Sequence, residues 1–108
     1  DELKFGEVLI QFVDRDGSQI GYDVELLQSL SNQTSKPIIA ASGYGEPRQL
    51  AKLFSLTTVE AAAIGNVMHH FEHSLMIAKS HLADDFNIRF EGVQHYRESK
   101  LDSNGRIK

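Results

Sequence analysis

EVLIQFVDRDGSQIGYD, residues 7–23, passes from an apolar run to a cluster of charges and glycines within a few positions. Residues 7–13 are rich in β-branched and aromatic side chains, which is typical of a strand buried on both faces. In residues 22–31 the apolar side chains recur at helical spacing, and Asp23 is placed to cap the first turn. The stretch therefore predicts a strand followed by a helix.

The same pattern of strand and helix occurs twice more along the chain. Apolar runs near 37–41 and 59–64 predict strands, and residues near 47–56 and 70–84 have apolar side chains at helical spacing. Pro47 stands where a first helical turn tolerates proline. Strands that alternate with helices in this way predict an α/β fold with parallel strands joined by right-handed crossovers.

The pattern places these units in one domain, residues 1–93, followed by a polar tail, residues 94–108, that we expect to be mobile. Residues 87–93 are short enough to form either a fourth, edge strand or an extended segment. A chain of 108 residues is long enough for one small domain with its own core.

The composition excludes several classes of function. A net charge of −4 gives no basic surface for nucleic acid or for an anionic membrane. The chain has no cysteine, so it forms no disulfide framework and no thiolate site, which is compatible with a reducing cytoplasm. No apolar stretch approaches the length that crosses a bilayer. We therefore expect a soluble, cytoplasmic protein.

Each predicted strand ends in glycine with small or polar neighbours, in the segments DRDGSQIG, SGYG and GN. Glycine lets the backbone turn tightly and expose N–H groups to a ligand, and a helix that starts just beyond adds the positive end of its dipole. Three such loops on one edge of a sheet would cradle an anion, usually phosphate. The alternative is that strand-to-helix turns need glycine anyway. No segment matches a Walker A loop or the GxGxxG fingerprint.

Metal and nucleophile sites find little support. An EF-hand loop has a third ligand at its fifth position, before the glycine at its sixth. Here Gly17 directly follows Asp16, so that spacing is not met. His69 and His73 lie four apart on the predicted helix, but HHFEH lacks the HExxH order and a fourth ligand is not evident. No serine belongs to a recognisable catalytic motif. We predict no metal and no cofactor.

Three segments together resemble the last three βα units of the cyclase subunit of imidazole glycerol phosphate synthase. They are GEVLIQFVDRDGSQIGYD, PIIAASGYG and AAAIGNVMHH. That family is a (β/α)8 (TIM) barrel of histidine biosynthesis, and DRDG followed by GYD is quite specific to it. The resemblance runs from about Gly6 to residue 92 and covers less than half of the barrel. It implies three to four βα units, a half-barrel with parallel strands.

The resemblance also implies which residues form the site. In the family, the loops after the last strands bind one terminal phosphate of the substrate through backbone amides and small side chains. The matching positions here are Asp16, Gly17, Gly43, Gly65 and Asn66. Asp14 and Asp16 match acids at the rim of the active site, and Gln11 matches a polar, pocket-facing strand position.

Three positions depart from the family pattern. Ala41 replaces a serine, with Ser42 next to it, Tyr44 is bulky where the family has a small residue, and Asn66 replaces a serine. These departures and the segment HHFEHSL suit a related barrel of bacterial surface-sugar biosynthesis. The histidine-pathway cyclase, the sugar-pathway relative and a non-catalytic phosphate-binding half-barrel all stay open.

The family's two catalytic aspartates lie in the half that precedes this sequence, so the resemblance implies no catalytic residue here and no cyclase activity for the chain alone. It implies a glutaminase subunit as the partner of the full-length protein. Three barrel strands also present an inner face that opposite strands normally fill, with open edges. We therefore expect a homo-oligomer in which the inner strand faces meet.

Overall fold

The computed structural model describes residues 4–89, which form a parallel three-stranded sheet. The strands are β1 (Val8–Gln11), β2 (Ile38–Ala41) and β3 (Ala61–Ala63), side by side in chain order. Leu9, Ile39 and Ala61 share one register row. Parallel neighbours in chain order require a crossover between each strand and the next, which confirms the predicted α/β fold and fits a partial barrel.

Three α-helices follow the strands: α1 (Val24–Ser31) and α2 (Pro47–Leu56) lie in the two crossovers, and α3 (Ser74–Leu82) comes after β3. The Asp23 carboxylate accepts a hydrogen bond from the Leu26 amide at 3.1 Å, which confirms the predicted cap of α1. Pro47 is the first residue of α2, as expected from its missing N–H. Two short 3-10 helices, Val13–Arg15 and Asn66–His69, follow β1 and β3.

Several predicted boundaries differ from the structure by two residues or more, and two of these differences have a clear structural cause. The first strand ends at Gln11 rather than Val13, because the chain turns there into a 3-10 helix. The last helix begins at Ser74 rather than near residue 70, because Asn66–His69 are 3-10 helical and His73 has a left-handed φ of +52°. A left-handed residue interrupts a right-handed helix, so α3 starts after it.

The core lies between one face of the sheet and the three helices. It is built from apolar side chains of β2, of all three helices and of the segments between them, chiefly Leu27, Ile38, Ala40, Leu50, Leu53, Val59, Val67, Ala78 and Leu82. The rings of Phe54 and Phe86, 5.8 Å apart, pack against this cluster. Because the three strands are parallel, the loops that follow them all emerge at one edge of the sheet.

The other face of the sheet carries Leu9, Gln11, Ile39, Ala41, Ala61 and Ala63, which we call the open face. Within residues 4–89 no helix covers it, and Leu9 is 60% exposed, while Val13 just beyond β1 is 76% exposed. The prediction that the first strand, β1, is buried on both faces was therefore wrong for the described part of the chain. In a closed barrel, side chains from other strands fill this face.

Residues 87–89 have no regular secondary structure. The rest of the proposed edge strand and the tail 94–108 lie outside the described residues. Among residues 4–89, no helix has both the length and the apolar character needed to cross a membrane.

Candidate functional site

The loops that follow the three strands meet around one small cavity of about 30 Å3, at the edge formed by the carboxyl ends of the strands. We call this edge the rim. The cavity is lined by Asp16, Gly17, Ser42, Gly43, Tyr44, Ala63, Gly65 and Asn66. All five positions predicted for phosphate binding are in this lining. The first and third loops lie close together: the side-chain nitrogen Nδ2 of Asn66 is 3.5 Å from the position that a Cβ on Gly17 would occupy.

Four residues that line the cavity have backbone amides without a protein acceptor in the described part of the chain. The backbone amides of Gly17, Gly43, Gly65 and Asn66 donate to no acceptor within residues 4–89. Converging backbone N–H groups in a concave turn bind anions, because each N–H carries a partial positive charge. The geometry therefore suits a small oxyanion more than a cation.

Asp16 differs from the other four predicted residues. Its amide donates to the Val13 carbonyl oxygen at 3.3 Å, and its exposed side chain carries a carboxylate that accepts hydrogen bonds. Asp16 thus lies at the cavity but has no free donor for an anion. Asp14 is exposed in the neighbouring 3-10 helix, and Gln11 lies on the open face beside Ala41.

The helix dipole predicted at the third loop is not formed. Asn66 begins a 3-10 helix of four residues, and α3 starts only at Ser74. The attraction for an anion at this loop therefore depends on the local N–H groups of Gly65 and Asn66.

The first and second loops touch backbone to backbone. The Gly21 amide donates to the Gly43 carbonyl oxygen at 2.8 Å, and a Cβ on Gly43 would overlap the Gly21 carbonyl oxygen. Gly43 also has a φ of +99°, which an L side chain rarely adopts. Glycine at position 43 is thus required both by the close approach and by the backbone conformation.

Gln49 joins the same two loops through its side-chain amide. Its Oε1 accepts from the amides of Gly45 and Glu46, at 2.7 and 3.1 Å, and its Nε2 donates to the Gln19 carbonyl oxygen at 2.9 Å. Sequence reasoning missed this residue. The available signal was the capping box, in which a glutamine or glutamate stands three residues after the helix cap.

Arg15 fixes the first loop from within. Its Nη1 donates to the Gly21 carbonyl oxygen at 3.2 Å, and its Nη2 lies 3.7 Å from the Asp23 carboxylate. The guanidinium thus connects the turn after β1 to the start of α1. This arrangement explains why an arginine stands between the two aspartates of DRDG.

Two buried tyrosines belong to the site: Tyr44 is part of the cavity lining, and Tyr22 contacts the lining residue Ala63. The Tyr22 hydroxyl donates to the Ala63 carbonyl oxygen at 3.2 Å, which ties the first loop to the end of β3. Burial, with a further contribution from Tyr44, raises the pKa of Tyr22 well above its usual value. Burial, aided by the Glu46 carboxylate, raises the pKa of Tyr44 to about 12. Both hydroxyls are therefore neutral near pH 7, and Tyr22 keeps the proton that it donates.

The histidines do not share the helical face on which a zinc interpretation depended. His69 lies in the 3-10 helix, whereas His73 precedes α3 in a left-handed conformation. Among residues 4–89, no group of three or more histidine, cysteine, aspartate or glutamate side chains is arranged to hold a metal ion.

The chain is similar to known proteins over most of its length. The sequence pattern of the family described as "Histidine biosynthesis protein" matches residues 1–74. A Vibrio vulnificus protein named putative imidazole glycerol phosphate synthase subunit hisF2 is 40% identical over 102 residues, which are 94% of this chain and 38% of the relative. The imidazole glycerol phosphate synthase subunit HisF of Methanopyrus kandleri is 36% identical over 78% of this chain and 31% of its own length.

A third relative is the chloroplastic imidazole glycerol phosphate synthase hisHF of Arabidopsis thaliana, 33% identical over 79% of this chain and 14% of the relative. The chain thus spans about a third of the length of the first two relatives. The matched residues include all three strands and the loops of the cavity up to α3. The chain belongs to the histidine biosynthesis protein family.

Proposed function

We propose that this chain supplies the phosphate-binding, C-terminal part of an ammonia-dependent cyclase barrel of the imidazole glycerol phosphate synthase type, a lyase of histidine biosynthesis. The observation that carries the proposal is the convergence of three glycine loops on one cavity with four unused backbone N–H donors. The relatives named as subunits of that synthase support it. The ligand of this site would be the phosphate of a phosphorylated small molecule.

The proposed part lacks the groups that perform the reaction. General acid–base catalysis needs an acid and a base within hydrogen-bond reach of the reacting atoms, on suitable sides of them. The rim acids Asp14 and Asp16 are neighbours on one exposed turn, so they cannot flank a substrate. We therefore propose that the isolated chain is inactive, and that a glutaminase partner supplies ammonia to the whole barrel.

Ammonia-dependent turnover tests this division of labour. The 108-residue chain is assayed alone and mixed with the separately produced part of the Vibrio relative that this chain does not match. We expect no turnover by either piece alone and measurable turnover by the mixture, because phosphate binding and acid–base groups are then in one barrel.

Turnover by the chain alone would contradict the proposal. If the mixture forms a complex and stays inactive while the chain still binds phosphate, the result would favour a non-catalytic binding module. The relative's part assayed alone at the same concentration is the control for contaminating activity.

A further inference from the structure

Ser42 combines a strained backbone with a place in the cavity. Among residues 4–89, three non-glycine residues have positive φ: Gln19 at 59°, Ser42 at 79° and His73 at 52°. Of these, Ser42 is the one that lines the cavity at the rim. A side chain in this conformation costs stability that glycine would not, because the Cβ approaches the backbone oxygen.

Within residues 4–89, no side-chain hydrogen bond compensates for this conformation at Ser42. The left-handed conformation at Gln19 aims its carbonyl oxygen at Gln49, which donates to it at 2.9 Å. The Ser42 hydroxyl, in contrast, has no hydrogen-bond partner within the described part of the chain. Strain without a compensating side-chain hydrogen bond points to a functional role, since such residues concentrate at ligand sites.

The position of Ser42 says what that role is. It precedes Gly43, whose amide is unused, and shares the cavity with Asn66, whose side-chain amide also lacks a partner in residues 4–89. A hydroxyl can rotate to donate its proton to an acceptor. Besides the backbone amides and the hydroxyl of Tyr44, Ser42 and Asn66 are the lining residues whose side chains carry hydrogen-bond donors.

We propose that Ser42 is a ligand-binding residue whose hydroxyl donates to an oxygen of the bound phosphate. The inference rests on the phosphate site proposed above. It explains why a serine is present where the backbone favours glycine, since glycine would relieve the strain and remove the donor. Replacement of Ser42 by glycine should then raise stability and lower ligand affinity.

Two substitutions separate these effects, with inorganic phosphate as the probe. Ser42→Ala removes the hydroxyl and keeps the strain, so phosphate affinity should fall about tenfold, as for a hydrogen bond to a charged group. Its melting temperature without phosphate should stay near that of the wild type. Ser42→Gly should lose the same affinity and raise the melting temperature by about 4 °C.

Ser35 provides the matched control, because it is exposed in the loop before β2, at the opposite end of the sheet from the rim. Ser35→Ala and Ser35→Gly should leave phosphate affinity unchanged. If the wild type binds phosphate and both Ser42 variants bind it with the same affinity, the proposed role of Ser42 is wrong, while the phosphate site itself is supported. A wild-type chain that binds no phosphate would overturn the site and this inference with it.

Discussion

Gly43→Ala is expected to lower the free energy of unfolding by about 3 kcal/mol, a large fraction of the stability of a small domain. A side chain at φ +99° is strained, and the added Cβ would overlap the carbonyl oxygen of Gly21. Relief of that overlap requires the first two loops to separate, which breaks the 2.8 Å hydrogen bond between Gly21 and Gly43. Because the added Cβ would meet backbone atoms of Gly21, and a Cβ itself cannot rotate away, no side-chain rotation avoids the overlap.

Urea unfolding of Gly43→Ala beside Gly6→Ala measures this effect. A Cβ on Gly6 would meet nothing within 4 Å, so the control variant should lie within about 1 kcal/mol of the wild type. A Gly43→Ala variant that is equally close to the wild type would show that the two loops are not held together as described.

The second large effect concerns association through the open face. Exposed apolar area costs roughly 25 cal/mol per Å2, so a face of a few hundred Å2 corresponds to several kcal/mol. Leu9 lies beside Ile39 on this face, and Val13 is next to its edge. We expect the chain to form a dimer or higher oligomer in which these faces meet, and we expect Leu9→Lys to be monomeric, because a buried unpaired charge opposes the contact.

Sedimentation at micromolar concentration distinguishes the species. Leu26→Lys is the control, because Leu26 is 45% exposed on α1, which packs on the opposite face of the sheet. It should associate like the wild type. Either a monomeric wild-type chain or equal dissociation of both lysine variants would count against association through the open face.

Much of the fold could be predicted because local signals agree with the tertiary structure. Apolar runs bounded by glycine marked the strands, and Asp23 and Pro47 marked the starts of two helices. The start of α3 could not be predicted, because it depends on the left-handed conformation of His73, which HHFEHSL does not encode locally. Whether the open face is exposed depends on which other strands are present. The pattern of apolar residues within one strand gives no information about those other strands.

The site was predicted less completely than the fold. The glycines of the three loops were found from their places after the strands, and the structure brings them to one cavity. Tyr22 was missed because its hydroxyl contacts Ala63, 41 residues away in the sequence. The capping box identifies Gln49 only as part of a helix start, and its contact with Gln19, 30 residues away, does not follow from that local signal. The hydrogen bond from the Asp16 backbone amide to Val13 could not be predicted either, because it depends on the 3-10 turn after β1.

Titration of the chain with inorganic phosphate, followed through each backbone amide by NMR, tests the central claim most directly. If the three loops form one anion site, the resonances of Gly17, Gly43 and Gly65 should shift together with a single midpoint. Those of Asn32 and Thr57, at the far ends of α1 and α2, should stay in place. Unchanged rim resonances at high phosphate, or separate midpoints for the three loops, would contradict the account.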